Sequence, residues 1–144
     1  MEKTLVPIGV INTPYKKLSE CPNNISEDGP ICEIVINKEY EKGLLGLKNG
    51  TKIMILYWLG EKERPKIKMQ VSTHVDSLHL RGIFSLRTPR RPNPIGVAIV
   101  SIIKINNNSI FVRGLDCLKG TCLIDIKPAI NQEIFETKWQ TTIK

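Results

Sequence analysis

Glycine, proline, asparagine and aspartate recur so often along this chain that its apolar, β-branched runs are kept short. Runs of that length suit strands and are too brief for ordinary core helices. The expectation is a mainly β domain, a small closed or partly open β-barrel with one short helix. Residues 4–11 form the first strand candidate, which Thr13-Pro14 closes. Residues 19–30, SECPNNISEDGP, are turn formers almost throughout and read as a long loop, of a length that is often functional.

Ile31–Ile36 is the second strand candidate, after which Asn37 can cap a short helix over 38–45 that Gly43 and Gly46 weaken and end. The turn Lys48-Asn49-Gly50-Thr51 leads into 52–59, an apolar run suited to a central strand. Residues 66–71 alternate Lys66, Lys68 and Gln70 with Ile67, Met69 and Val71, which gives one wet and one buried face. Further on, 97–105 and 109–115 flank Asn106-Asn107-Asn108 as a hairpin. Residues 123–126 are the last clear strand before Pro128, and the tail carries no clear pattern.

With 144 residues and no repeat, low-complexity stretch or linker, residues 1–144 read as one domain able to bury a real core. A hydrophobic content of 41% and a charged content of 24% exclude wholesale disorder. The net charge of +7 makes a polyanion, most often nucleic acid, the first partner to consider, against the plainer reading of a basic but unengaged surface. Much of the excess sits centrally, in Lys62, Arg64, Lys66, Lys68, Arg81, Arg87, Arg90 and Arg91, and clustering favours binding. No run of about 18 apolar residues is present. The start MEKTLVPIGV lacks the apolar segment of a signal peptide, so the expected location is the cytoplasm, with no membrane. Cys21, Cys32, Cys117 and Cys122 match neither paired zinc knuckles nor a disulfide scaffold, and are expected to be thiols.

The stretch SLRTPRRPNPIGVA, residues 85–98, holds three arginines and three prolines. Pro89, Pro92 and Pro94 fix their own φ and push the residues before them toward extended conformations, so the bend is stiff before any ligand arrives. Preorganisation lowers the cost of immobilising side chains on binding, about 0.5–1.5 kcal/mol each. The alternative is a tight crossover whose arginines meet the protein's own carboxylates. GxGxxG and GxxxxGK[ST] are absent, which removes support for Rossmann and P-loop nucleotide sites. His74 and His79, with Asp76 between them, would need a further metal ligand from elsewhere, and no metal is expected. A triad of Ser85, His79 and Asp116 lacks a nucleophile elbow. Asp116 and Asp125, in RGLDCLKGTCLIDIKP, are turn residues, partners of the central arginines, or carboxylates beside a cationic ligand.

GIFSLRTPRRPNPIGVA followed by GLDCLKGTCLIDIKP resembles the TsaA-like family, with weaker similarity through IGVINTPY, ECPNN and YEKGLLGLKNG. Characterised members of that family use S-adenosylmethionine to methylate N6-threonylcarbamoyladenosine beside the anticodon of tRNA. The resemblance runs over residues 6–129. It implies a small β-barrel working as a homodimer, with the cofactor near the subunit interface and no relation to Rossmann methyltransferases. The implied function is S-adenosylmethionine-dependent methylation of tRNA at that base or a related modified one. A non-catalytic S-adenosylmethionine- or RNA-binding module on the same barrel is the alternative. An RNA-binding barrel of the OB type without cofactor ranks last, because 6% aromatics leaves few stacking platforms.

Carried over by position, the resemblance implies cofactor contacts from Asn23, Asn24 and Ile25, from Gly60 and Glu61, from Arg87 and Val97, and from Arg113-Gly114-Leu115-Asp116. Asp116 is the candidate catalytic residue, and Arg90, Arg91, Asn93 and Lys127 are candidates for the RNA substrate. Such a site aligns a nitrogen with a sulfonium methyl. The nitrogen lone pair is delocalised, so a carboxylate can steady the cation or take the N6 proton. The chain departs from the family pattern at Gly60-Glu61, where many members carry histidine, and at Asn23-Asn24 in place of Arg-Gln. It departs again at Cys122 and Ala129, in place of proline and tyrosine.

Overall fold

The computed structural model describes residues 1–60, 69–71 and 80–134. Glu61, Lys62, Arg64, Lys66, Lys68, His74, Asp76 and His79 lie outside the described residues. Among the described residues the strands are β1 (Gly9–Asn12), β2 (Ile31–Ile36), β3 (Lys52–Trp58), β4 (Met69–Val71) and β5 (Leu80–Gly82), then β6 (Ile95–Ser101), β7 (Lys104–Asn106), β8 (Ser109–Arg113) and β9 (Thr121–Pro128). Seven of them form one antiparallel sheet in the order β6-β3-β9-β1-β2-β8-β7, and β4 pairs with β5 as a separate hairpin. Strict alternation supplies the core: Cys32, Ile34 and Ile36 of β2, Ile53, Ile55 and Tyr57 of β3, and Ile110 and Val112 of β8 all point inward.

Of the closed and partly open forms expected, the structure has the open one. β6 and β7 are its two edges and do not pair with each other. Only Ile102 and Ile103 separate them in sequence, so the sheet curls until both edges reach that corner. Ile102 N donates to Thr51 O at 2.9 Å, while Ile103 N donates to Phe111 O at 2.8 Å. One stretch thus hands over from the β3 side to the β8 side, and the strand expected over 97–105 is split there. The first strand, expected over 4–11, is shorter and runs one residue further, Gly9–Asn12, although Ile8 N still reaches Leu123 O at 3.0 Å. The helix expected over 38–45 is a 3-10 helix, Lys38–Leu44, closed by i to i+3 bonds such as Tyr40 N to Asn37 O. The α-helix among the described residues is instead α1 (Asn131–Ile134), in the tail.

Two backbone details position the site. Asn107, at φ 54°, turns the β7–β8 hairpin, and Gly114, at φ 74°, stops β8 one residue after Arg113. A β-bulge lets β9 shift register against β3: Leu56 faces Asp125, but Tyr57 faces Leu123. The additional residue, Ile124, changes which side chains point inward, from Thr121 and Leu123 to Ile126. Asp125 is thereby left opposite outward-pointing Leu56.

Candidate functional site

β3 presents Tyr57 inward as the one polar side chain in its buried row, 3% exposed. It can lie there because its partner across the ladder is Gly96, where any Cβ would run into the Tyr57 ring. A buried phenol needs a partner for its hydroxyl. Tyr57 Oη donates to Asp116 Oδ1 at 3.2 Å. Burial raises the Asp116 carboxyl above its ordinary range, while the Tyr57 hydrogen bond and the positive charge of Arg87 pull it back. Burial, followed by the charge of Asp116, pushes the Tyr57 phenol far up, so it remains a donor. Next to them Cys117 is pushed up to about 12, chiefly by burial, and is inert as a nucleophile.

Arg87 belongs to the proline-rich bend and is tied to β6 through Nη2, which donates to Val97 O at 3.1 Å. Val97 follows Gly96, the ladder partner of Tyr57, so this bond ties the bend to the strand beside the Tyr57–Asp116 pair. From the other side, the long loop docks on the end of β8. Ser26 N donates to Gly114 O at 3.0 Å, Gly114 N to Pro30 O at 2.9 Å, and Arg113 Nη1 to Gly29 O at 3.3 Å. A Cβ at Gly114 would strike the Ser26 backbone. Leu115 is fully buried beneath, and Asn23, Asn24 and Ile25 stand exposed just before the anchored Ser26. The structure therefore brings Arg87, Val97, Arg113, Gly114, Leu115, Asp116 and the early loop into one neighbourhood.

The other predicted residues are arranged differently. Arg91 turns back on its own bend: Nη1 donates to Leu86 O and Thr88 O, both at 3.1 Å, and Nη2 to Ile83 O at 3.4 Å. Arg90 and Asn93 are exposed, the latter accepting from Ile95 N at 2.7 Å. Gly60 follows β3, where a Cβ would meet the Trp58 indole, and Leu59 N holds Pro94 O at 2.7 Å. Lys127 sits on the surface paired with Asp125 at 2.9 Å, an exposed ion pair of the kind worth about 0–1 kcal/mol. No disulfide joins the four cysteines, all of which are described.

Two consequences are measurable. Arg91→Ala removes three bonds that brace the bend, so thermal denaturation is expected to show a loss of about 1–3 kcal/mol. If the side chain stays on those carbonyls, the salt slope of any RNA binding stays unchanged. Tyr57→Phe leaves a half-buried carboxylate without its donor, which is expected to cost about 1–3 kcal/mol and to raise the Asp116 pKa further, as followed by carboxyl NMR titration. Sequence reasoning missed Tyr57. The available signal was one hydroxyl in an otherwise apolar alternating row, but its partner lies 59 residues away.

Comparison with known proteins adds a lineage to this geometry. A family described as tRNA-methyltransferase O N-terminal domain matches residues 10–133. The probable S-adenosyl-L-methionine-binding protein VirR of Rhizobium radiobacter is 43% identical over 127 residues, covering 88% of this chain and 71% of that protein. The human tRNA (adenine(37)-N6)-methyltransferase is 32% identical over 90 residues, covering 62% of this chain and 20% of that protein. A solved structure of TrmO superposes with a TM-score of 0.78 at 20% identity, covering 96% of this chain and 62% of that one. The chain thus spans about three-fifths of the solved structure, which shares its fold. The chain belongs to the tRNA-methyltransferase O N-terminal domain family.

Proposed function

We propose that this protein is an S-adenosylmethionine-dependent tRNA methyltransferase acting on N6 of threonylcarbamoyladenosine next to the anticodon, or on a related modified base. The observation that carries the reading is the half-buried Asp116 carboxylate, held by Tyr57 and under the positive charge of Arg87, two residues beyond the Gly114 on which the long loop docks. The donor set suits the methyl donor, whose sulfonium and ammonium are cationic and whose other end is a carboxylate. Asp116 offers the negative group and Arg87 the guanidinium, with Val97 and Arg113 as walls, while Gly114 and the fully buried Leu115 support them from beneath instead of touching the ligand. Asn23, Asn24 and Ile25 of the loop, together with Gly60 and Glu61, complete the proposed contacts. When bound, S-adenosylmethionine supplies an electrophilic methyl group on sulfur.

Tyr57 occupies Asp116 Oδ1, which leaves Oδ2 outside that bond to accept the N6 proton. Burial of Asp116 raises its basicity toward neutral pH, where a general base works best. Arg90, Asn93 and Lys127 are assigned to the RNA, with Arg91 supporting the bend. The protein is expected to act in the cytoplasm as a homodimer, through the outward apolar row of Met54, Leu56 and Trp58 against Ile95, Val97 and Ile99. Incubation with labelled S-adenosylmethionine and tRNA lacking its own methylation at this base tests the reading. Label in the RNA, lost with Asp116→Ala, is the expected result. A gel shift without transfer would make the chain a binding module on the same fold.

A further inference from the structure

The aromatic side chains of the described residues are mostly accounted for. Tyr57 is buried, Tyr15 and Trp58 are half-buried, Phe111 lies under the Lys104 ammonium at 4.8 Å, and Tyr40 is 37% exposed. Phe84 is 83% exposed. Its exposure is built in by its neighbours. Phe84 sits at the centre of the 3-10 turn Ile83–Ser85, whose first residue, Ile83, is 6% exposed and anchors the turn. Ser85 Oγ donates to Gly82 O at 2.7 Å, Leu86 N to Ile83 O at 3.2 Å, and Arg91 Nη2 to Ile83 O at 3.4 Å. With Ile83 turned inward and the turn braced on three sides, the next side chain is held outward.

The stretch of chain that carries Phe84 is cationic. Residues 77–115 contain no aspartate or glutamate, and Arg87 and Arg90 follow Phe84 on the same bend, both exposed. A rigid, exposed ring next to arginines in a stretch without acids matches the way single-stranded nucleic acid is held. Cations track the phosphates and aromatic faces stack on the bases. An apolar protein partner would find no reason for the missing acids.

We propose that Phe84 is a base-stacking platform, receiving an unpaired nucleobase of an RNA loop while Arg90 engages the adjoining phosphate. This rests on the tRNA reading above and adds a substrate-positioning residue outside the Asp116 neighbourhood. The turn braced by Arg91 explains why that arginine spends its guanidinium on carbonyls: it fixes the platform.

The test is anisotropy titration of a fluorescent anticodon stem-loop RNA against wild type, Phe84→Ala, Phe84→Trp and Arg90→Ala at several salt concentrations. Sedimentation and S-adenosylmethionine calorimetry are run on each. Phe84→Ala is expected to weaken RNA binding between about fivefold and a hundredfold. Its salt slope, sedimentation and cofactor affinity stay unchanged, and Phe84→Trp restores binding. Arg90→Ala is expected to lower the salt slope by about 0.7. Wild-type RNA binding that Phe84→Ala leaves intact would overturn the platform and spare the methyltransferase reading. Absence of RNA binding by wild type would overturn both. A changed sedimentation for Phe84→Ala would mean that the ring joins copies of the chain, and would overturn the platform.

Discussion

Gly114→Ala is expected to abolish S-adenosylmethionine binding while leaving a folded β-sheet. The backbone at φ 74° is costly for any residue with a Cβ, about 1–3 kcal/mol, and the added methyl would strike the Ser26 backbone. Ser26 N and Pro30 O are the loop's anchors on Gly114, so relief of that clash moves the whole segment 22–30. Circular dichroism should retain the sheet signature, because β8 ends one residue earlier. Calorimetry should show the ligand site gone. Normal binding by Gly114→Ala would mean that the docked loop takes no part in the site.

The second large effect separates stability from function. Because burial raises Asp116 in the folded state from its ordinary 3.8, the unfolded chain releases its proton first as pH rises. Folding stability from this group is therefore complete below that ordinary value and is lost as pH rises through the raised folded value. Tyr57 and Arg87, the groups that face Asp116, reduce the loss without reversing it. Asp116→Asn keeps an oxygen for the Tyr57 hydroxyl and removes the charge. At pH 7 the variant is expected to melt above wild type and methyl transfer to fall at least a hundredfold, while at pH 3, where Asp116 is protonated, the two melting points should coincide. A variant less stable than wild type at pH 7 would show that Arg87 outweighs burial at this site.

Legibility from sequence followed the range of the interactions. Ile31–Ile36 was readable to the residue because a β-branched run with strict alternation needs no distant information. The β7–β8 hairpin was readable because Asn107 advertises its positive φ. The break at Ile102-Ile103 was not: both residues are apolar and β-branched, and what splits the strand is a change of partner, from Thr51 to Phe111. The choice between a closed and an open sheet was illegible for the same reason, since edge pairing is decided by strands far apart in sequence.

The site divides in the same way. The signature stretches pointed to Arg87 and to residues 113–116, and these come together because the sheet brings the bend beside the end of β8. Arg91 was assigned to RNA because a sequence cannot show that three local carbonyls accept from its guanidinium. Tyr57 was hidden inside an apolar run, and Asp125 looked like a site acid until the β-bulge left it opposite an outward residue.

The proposed function requires that Asp116, Tyr57 and Arg87 form a methyl-donor site, and calorimetric titration of S-adenosylmethionine tests this most directly. Wild type is compared with Asp116→Ala, Tyr57→Phe and Arg87→Ala. Saturable micromolar binding by wild type, lost in Asp116→Ala and Arg87→Ala and weakened about tenfold in Tyr57→Phe, is the expected result. No binding by wild type up to millimolar ligand, or binding that all three variants retain, would contradict it.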